Sequence, residues 1–332
     1  MSERALLVST ANPYPVVRDG CERLVRDYVD AVFDGLELDF LHAGRPSWAP
    51  QALYRDGNAI ATGIDADGLL ERGYAFVVFV GFKDTAFTRE LTTRRPSFCL
   101  TDAFPHPDVP RDAFRGILSH HASQARADAD VLLVGGSYDD AVFRPDRRGE
   151  DHVLAVGRIH PDKNQLELVE GYREAIYEPF GLPLVLAGGA TDLDYAREVL
   201  RHVDGTAVVT TIEDHADPGA PSSWLSAAEL AALSNRSRLY VAASPAEAFG
   251  LALVESMACA TTCVVNGDYR GFDPAELRPL VHGNVAGKRG SVLDLVAEAL
   301  RDEVRIDASQ WARRYALREI RDGVARFVHD RL

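Results

Sequence analysis

No apolar run in the sequence approaches the roughly 18–20 residues that crossing a bilayer takes, and the opening, MSERALLVST, lacks a charged segment followed by a greasy one. A membrane-spanning or secreted chain is therefore not expected; a cytoplasmic one is. Cysteine is sparse: Cys21, Cys99, Cys259 and Cys263 lie scattered in apolar contexts, with no C-x-x-C pair and no Cys/His spacing. That pattern argues against zinc and for reduced structural thiols. No G-x-G-x-x-G follows a strand, since Gly135-Gly-Ser and Gly188-Gly-Ala stop short, which disfavours a dinucleotide oxidoreductase. Lysine is scarcer than cysteine. Only Lys83, Lys163 and Lys288 stand among 36 basic residues, the rest being arginines. Basic residues are also outnumbered by 50 acids, for a net charge of −14. Such a chain repels phosphate backbones and anionic lipid surfaces, so any phosphate it binds must be held by a local exception to its own field.

What is present is an α/β pattern. At 332 residues, 46% hydrophobic and 26% charged, the chain is globular and fits two domains of about 150–180 residues. Ala5–Ser9, Leu36–Leu41, Tyr74–Val80, Ser97–Thr101 and Val131–Val134 read as strands buried on both faces. Between the first two lies CERLVRDYVDAVF, with Leu24, Tyr28 and Val32 at helical spacing, which makes a βαβ unit and implies a parallel sheet. The texture breaks at RPDRRGED, around residues 144–150, as at a linker. Strands then resume at Val153–Val156, Leu184–Ala187, Ala207–Thr210, Leu239–Ala242 and Thr262–Val265. Ala308 to Leu332 reads as one long amphipathic helix, with Trp311, Tyr315, Ile320, Val324 and Phe327 near one stripe. The expected organisation is an N-terminal domain over 1–146, a C-terminal domain over 151–308 and a terminal helix over 309–332. Ligand is expected in the cleft facing the carboxyl ends of both sheets.

Two passages depart from ordinary core logic. In Pro245-Ala-Glu-Ala-Phe-Gly-Leu-Ala-Leu-Val-Glu-Ser-Met-Ala-Cys, a strand runs into a loop and then a helix expected to begin near Phe249. Glu255 is the sole charge between Ala248 and Val265, on a helix buried nearly all round by its composition. A carboxylate there costs several kcal/mol unless it is well paired, and an internal Glu–Arg bridge is the plain alternative. Its companion, Glu247, stands eight residues earlier, so both acids are expected to look into the space at the helix start. There the amides of Phe249, Gly250 and Leu251 can accept an anion. A phosphate flanked by hydroxyl-bearing groups fits such a place, and a nucleotide sugar is that object.

The other passage is Val153-Leu-Ala-Val-Gly-Arg-Ile-His-Pro-Asp-Lys-Asn-Gln-Leu-Glu-Leu-Val, a strand ended by Gly157 and a helix expected from near Asp162. Leu166, Val169, Tyr172 and Ile176 supply its inner face. Arg158 leaves the strand's carboxyl end and Lys163 sits at the helix start. A forked guanidinium with a point ammonium makes a clamp for a diphosphate, although both could be solvated surface cations.

Together these passages resemble the GT-B glycosyltransferases of the retaining family 4 type, the glycosyl transferases group 1. That family carries G-R followed by a lysine, and later E-x7-E within E-G-F-G-x-x-x-x-E-A-M-A. Here stand Gly157-Arg158 with Lys163, then Glu247 and Glu255 with Phe249-Gly250 between them. Asn12-Pro-Tyr-Pro-Val-Val-Arg-Asp-Gly20 resembles the family's first glycine loop, and Ser137-Tyr-Asp-Asp-Ala-Val-Phe-Arg-Pro145 its pre-linker segment. The resemblance implies two Rossmann-like parallel-sheet domains facing a cleft, with a C-terminal helix able to cross back to the first domain. It implies that Arg158 and Lys163 hold the diphosphate, Glu255 the ribose hydroxyls and Glu247 the donor sugar. Gly20 and the amides of Phe249, Gly250 and Leu251 complete the cradle. Where the family often has a histidine near the reacting carbon, Phe98-Cys-Leu-Thr-Asp102-Ala-Phe-Pro-His106 offers Asp102, with His106 able to swing in. Ala260 and Cys21 replace family glycines, which points to a different sugar pocket.

The implied activity is metal-independent, with no cofactor: transfer from a UDP- or GDP-sugar to a soluble small-molecule or saccharide acceptor. No nucleic acid and no integral membrane partner is expected, and the mixed charge of CERLVRDYVDAVF speaks against a lipid-linked acceptor. A sugar-nucleotide epimerase or a non-catalytic nucleotide-sugar binding protein would use the same clamp. The D-x-D strings Asp65–Asp67, Asp128–Asp130 and Asp192–Asp194 could hold a metal. In an acid-rich chain, solvated loops are the plainer reading. Asp214 to Trp224, rich in proline, could border the base pocket or be a surface excursion.

Overall fold

The computed structural model describes residues 4–10, 25–28, 33, 36–43, 51–82, 85–101, 110–120, 130–146, 149–190, 192–209 and 225–332. Gly20, Asp102, His106, Asp128 and the stretch 214–224 lie outside these residues, as does most of CERLVRDYVDAVF. The chain forms two compact units, Met1–Ser137 with Leu317–Leu332, and Tyr138–Ala316.

The first unit carries eight strands among the described residues: β1 (Arg4–Ser9), β2 (Glu37–His42), β3 (Ala52–Arg55), β4 (Asn58–Thr62), β5 (Phe76–Val80), β6 (Ser97–Thr101), β7 (Gly116–Ser119) and β8 (Val131–Leu133). They lie in the order β4-β3-β2-β1-β5-β6-β7-β8, parallel except for the antiparallel pairs β2–β3 and β3–β4. The five expected strands are all present, each within two residues of its expected ends. Two features were not anticipated. In the β3–β4 hairpin β3 is four residues long with Ala52 and Leu53 buried, and β4 is largely exposed, so the apolar signal is short. The strand β7 is four residues long and contains Gly116, whose missing Cβ leaves room for the Phe327 ring: an ideal Cβ would lie 2.5 Å from it.

The second unit carries β9 (His152–Val156), β10 (Leu184–Ala187), β11 (Ala207–Val209), β12 (Ser237–Ala242), β14 (Cys263–Asn266) and β16 (His282–Asn284) in one parallel sheet. Beside it a two-residue pair joins β13 (Ala246–Glu247) to β15 (Asp268–Tyr269). The sheet order is β11-β10-β9-β12-β14-β16. Counting its strands along the chain, this is 3-2-1-4-5-6, the doubly wound order. β9 and β12 are neighbours, yet the chain leaves them toward opposite flanks. The crevice outside their carboxyl ends is the switch point where such sheets take ligands.

Two helix expectations are corrected. The segment after Gly157 is a 3-10 turn, Pro161–Lys163, then a helix Gln165–Val169, then a π turn Arg173–Tyr177. The break falls at Glu170, extended at ψ 112, and Gly171, at φ +79. Val169, Tyr172 and Ile176 are buried as their spacing requires. The terminal segment is also divided: Ser309–Ala312, a 3-10 turn Arg313–Tyr315, then Leu317–His329, with Ala316 extended at ψ 141. Trp311 and Tyr315 anchor the first piece on Phe272, 5.4 and 5.7 Å between ring centroids. Ala316 forms a bridge with Tyr138. The last piece belongs to the first unit, where Phe327 packs on Phe98.

Asp39 shows how the first unit tolerates a buried acid. Its carboxylate is 1% exposed and takes Arg55 Nε at 2.6 Å and Arg55 Nη2 at 2.9 Å, Tyr74 Oη at 2.6 Å and Arg4 Nη2 at 3.3 Å. Burial pushes its pKa up, but these hydrogen bonds and the two guanidinium charges outweigh it and hold the pKa below the ordinary carboxylate value. A depressed folded pKa stabilises the fold above the unfolded value and stops doing so as pH falls through the folded one. Asp39→Asn is expected to cost roughly 2–4 kcal/mol at neutral pH, and the gap to wild type should narrow as pH falls below the ordinary carboxylate range. Thermal melts across that range measure it; a constant gap contradicts the assignment.

Candidate active site at the switch point of the second sheet

Gly157 ends β9, and its carbonyl oxygen lies 1.9 Å from where a Cβ on Gly188 would stand. Only glycine at 188 lets the ends of β9 and β10 approach so closely. Past that point the chain is pinned residue by residue. Ile159 is buried, forms a bridge with Ala190 and donates its N–H to Gly189 O at 2.8 Å. The buried Gln165 donates Nε2 to Arg158 O at 2.6 Å and accepts the His160 N–H at 3.4 Å. With Ile159 turned inward, extended-chain alternation sends Arg158 and His160 to the other face.

Lys163 closes the 3-10 turn, and Asn164 follows in the left-handed conformation at φ 57, which re-aims the chain into the helix Gln165–Val169. The Lys163 stem lies over Gly157, its Cγ and Cδ 3.7 Å from an ideal Cβ there, and its ammonium meets Glu247 Oε1 at 2.5 Å. Both partners are about one-fifth exposed (20% and 19%), so the pair is partly withdrawn from water. The two sequence passages, 84 residues apart, are thus joined by one ion pair at the switch point. Arg158 Nη2 donates to Asp162 Oδ2 at 3.0 Å.

Glu247 sits in β13, not in a free loop. It pairs with Tyr269, and its carbonyl accepts the Arg270 N–H at 3.0 Å. Gly250 follows at φ +86, and the helix runs Leu251–Ala258, two residues later than Phe249. An ideal Cβ on Gly250 would meet Tyr269 Cε1 at 2.9 Å, so ring and glycine are closely packed. The first intrahelical bonds come from Leu253 and Val254 to Gly250 O, which leaves the amides of Leu251 and Ala252 ahead of the ladder. Phe249 contributes backbone only: its ring is buried against Phe272 and Tyr315, 4.9 and 5.1 Å away by centroid.

Glu255 is 4% exposed on this helix. Its charge and that of Glu247 both act on the Tyr240 phenol, whose pKa burial raises well above its ordinary value and the two carboxylates raise further. Both acids therefore lie around one buried ring. Of the expected residues, the structure brings Lys163 and Glu247 into contact and sets Arg158 on the same turn. It places Gly250 and Leu251 at the helix start and Glu255 in its second turn.

Sequence reading missed Asp162 and Gln165, whose signal was spacing: Asp162 is four residues from Arg158, and Gln165 is a buried amide. It also missed Glu167, which accepts Val292 N–H at 2.9 Å and binds Asn164 Nδ2 and Lys288 Nζ. Burial raises the Glu167 pKa, but these partners outweigh it and hold the carboxyl below its ordinary value. The D-x-D acids have local work. Asp65 and Asp192 cap helices, while Asp67 and Asp194 pair with Arg94 and Arg197.

Three comparisons bear on this geometry. Residues 150–301 match the family described as glycosyl transferases group 1. No curated protein matches the sequence. Among solved structures, AviGT4, a glycosyltransferase involved in avilamycin A biosynthesis, is 18% identical over 98% of this chain and 96% of its own, at TM-score 0.66. Anabaena HepE in complex with UDP and glucose is 13% identical over 99% and 100%, at 0.63. The lipopolysaccharide outer core galactosyltransferase WaaB is 12% identical over 99% and 100%, at 0.65. At such identities the likeness is one of fold: two α/β domains with parallel sheets, as in GT-B glycosyltransferases.

The junction of β9 and β10 gives a stability test. Gly290, at φ +67 with open space around it, should lose about 1 kcal/mol on substitution by Ala, from backbone strain alone. Gly188→Ala adds a collision with backbone and should lose roughly 3 kcal/mol or more by chemical denaturation. Equal losses would show that the close approach is not needed.

Proposed function

We propose that this chain, a transferase whose residues 150–301 match the glycosyl transferases group 1, moves a sugar, with retention of anomeric configuration and without a metal, from a UDP- or GDP-sugar to a soluble small-molecule or saccharide acceptor. The observation that carries this reading is the Lys163–Glu247 contact at the switch point, where a cation for the leaving group and an acid for sugar hydroxyls meet within 2.5 Å.

In this reading the nucleoside diphosphate lies over Gly157 and the start of the helix Leu251–Ala258. Arg158 and Lys163 face its phosphates, and the amides of Leu251 and Ala252 add two neutral donors. Lys163 need not release Glu247 to do so, because an ammonium has three N–H donors. Glu255 takes the ribose hydroxyls and Glu247 the donor sugar's. As the anomeric C–O bond breaks, its electron pair passes to the β-phosphate oxygen, where fixed cations and amides stabilise the charge without reorganising. The acceptor hydroxyl attacks the anomeric carbon on the face the phosphate leaves. Its proton passes to that phosphate oxygen, giving nucleoside diphosphate and the new glycoside. Gly20 and Asp102 lie outside the described residues, and a part for them in donor or acceptor binding stays an expectation of the sequence.

A thermal-shift screen of nucleotide-diphosphate sugars, with and without EDTA, tests the donor side. A donor at about 100 times its dissociation constant stabilises by about 2.7 kcal/mol. One base class should raise the midpoint, and EDTA should not change it. Lys163→Ala and Glu255→Gln should each abolish the shift while keeping the midpoint of the free protein within a few degrees. Retained shifts in both variants would sink the site, and donor binding without release of nucleoside diphosphate to any acceptor would leave a binding protein.

A further inference from the structure

Beside Arg158 and Lys163 stands a third group that neither motif contains. Asp162 uses both carboxylate oxygens on the turn: Oδ2 takes Arg158 Nη2 at 3.0 Å, and Oδ1 takes His160 Nδ1 at 2.6 Å. The Asp162 N–H also approaches Nδ1, at 3.3 Å. A carboxylate can only accept, so the shorter contact puts a proton on Nδ1 and leaves Nε2 as the ring's presented nitrogen. The alternation about buried Ile159 sends His160 to the same face as Arg158, and Gln165 holds the backbone of both from beneath. The imidazole is partly exposed (36%), as is the guanidinium (39%), so both can meet a ligand.

Resting on the proposed donor reading, we infer that His160, positioned by Asp162, is a third contact for the donor's diphosphate. A phosphate oxygen is acceptor-only and hydrogen-bonds Nε2 when that nitrogen carries a proton, so His160 engages the ligand as imidazolium.

Calorimetric titration of uridine and guanosine diphosphates, and of the free nucleosides, into the full chain tests this. His160→Asn is the variant of choice, since it removes the ring and keeps a side-chain amide that can still donate to Asp162. It should weaken nucleoside diphosphate binding by about tenfold, as loss of a charge-assisted hydrogen bond does, and leave nucleoside binding unchanged. In an Asp162→Asn background the His160→Asn cost should shrink, because the ring has already lost its anchor. Unchanged diphosphate affinity in His160→Asn, or equal losses for nucleoside and diphosphate, would overturn the inference. An equal cost in both backgrounds would remove Asp162 from it. A wild-type protein that binds neither diphosphate would instead overturn the donor reading on which it rests.

Discussion

A protein with 14 excess negative charges keeps a cation in a crevice only where a carboxylate holds it in place, and at the switch point of the second sheet that cation is Lys163, held by Glu247. Glu247 holds the ammonium at the crevice mouth and keeps it from folding back along the surface. The pair joins the turn after β9 to the two-residue strand after β12, the neighbouring strands at which the doubly wound order reverses. A half-exposed surface pair is worth little. This one is more withdrawn, and its value lies in placing a cation rather than in stabilising the fold.

The structure around it is organised to keep those two turns still. Gly188 allows the β9 and β10 ends to touch, Ile159 and Gln165 pin the segment 158–160, and Asn164 in the left-handed region redirects the chain. Glu167 ties that asparagine to Lys288 and to the start of the helix Val292–Arg301. On the other side, the pairing of Glu247 with Tyr269 and the packing of that ring on Gly250 fix the approach to the helix Leu251–Ala258. Two lysines, Lys163 and Lys288, are thereby committed to carboxylates within the second unit. In a chain that uses arginine for nearly every other cation, a compact ammonium is kept where one flexible point charge must reach an acid across a turn.

Much of this was legible in the sequence. Strands buried on both faces announce themselves as unbroken apolar runs, so the parallel sheets and their βαβ alternation could be read directly. The turns of the candidate site stood out because Glu255 is a charge on an otherwise apolar helix and Lys163 is a rare residue after a strand-ending glycine. Short-range backbone detail was less legible. The break at Glu170 and Gly171 leaves the burial of Tyr172 and Ile176 in register, so helical spacing cannot reveal it. The division of the terminal segment at Ala316 is decided by aromatic packing of Trp311 and Tyr315 on Phe272, which is tertiary. The anchoring by Asp162 and Gln165 runs over spacings of four to seven residues that solvated side chains show equally, and the pairing of Glu247 with Tyr269 joins two segments and leaves no local pattern.

The most direct measurement is a crystal structure of the protein with the nucleoside diphosphate that it binds. The β-phosphate should lie within about 3 Å of the Lys163 ammonium and in reach of the Arg158 guanidinium, with the ribose hydroxyls on Glu255. A diphosphate bound elsewhere, with Lys163 and Glu247 paired and no phosphate beside them, would contradict the account.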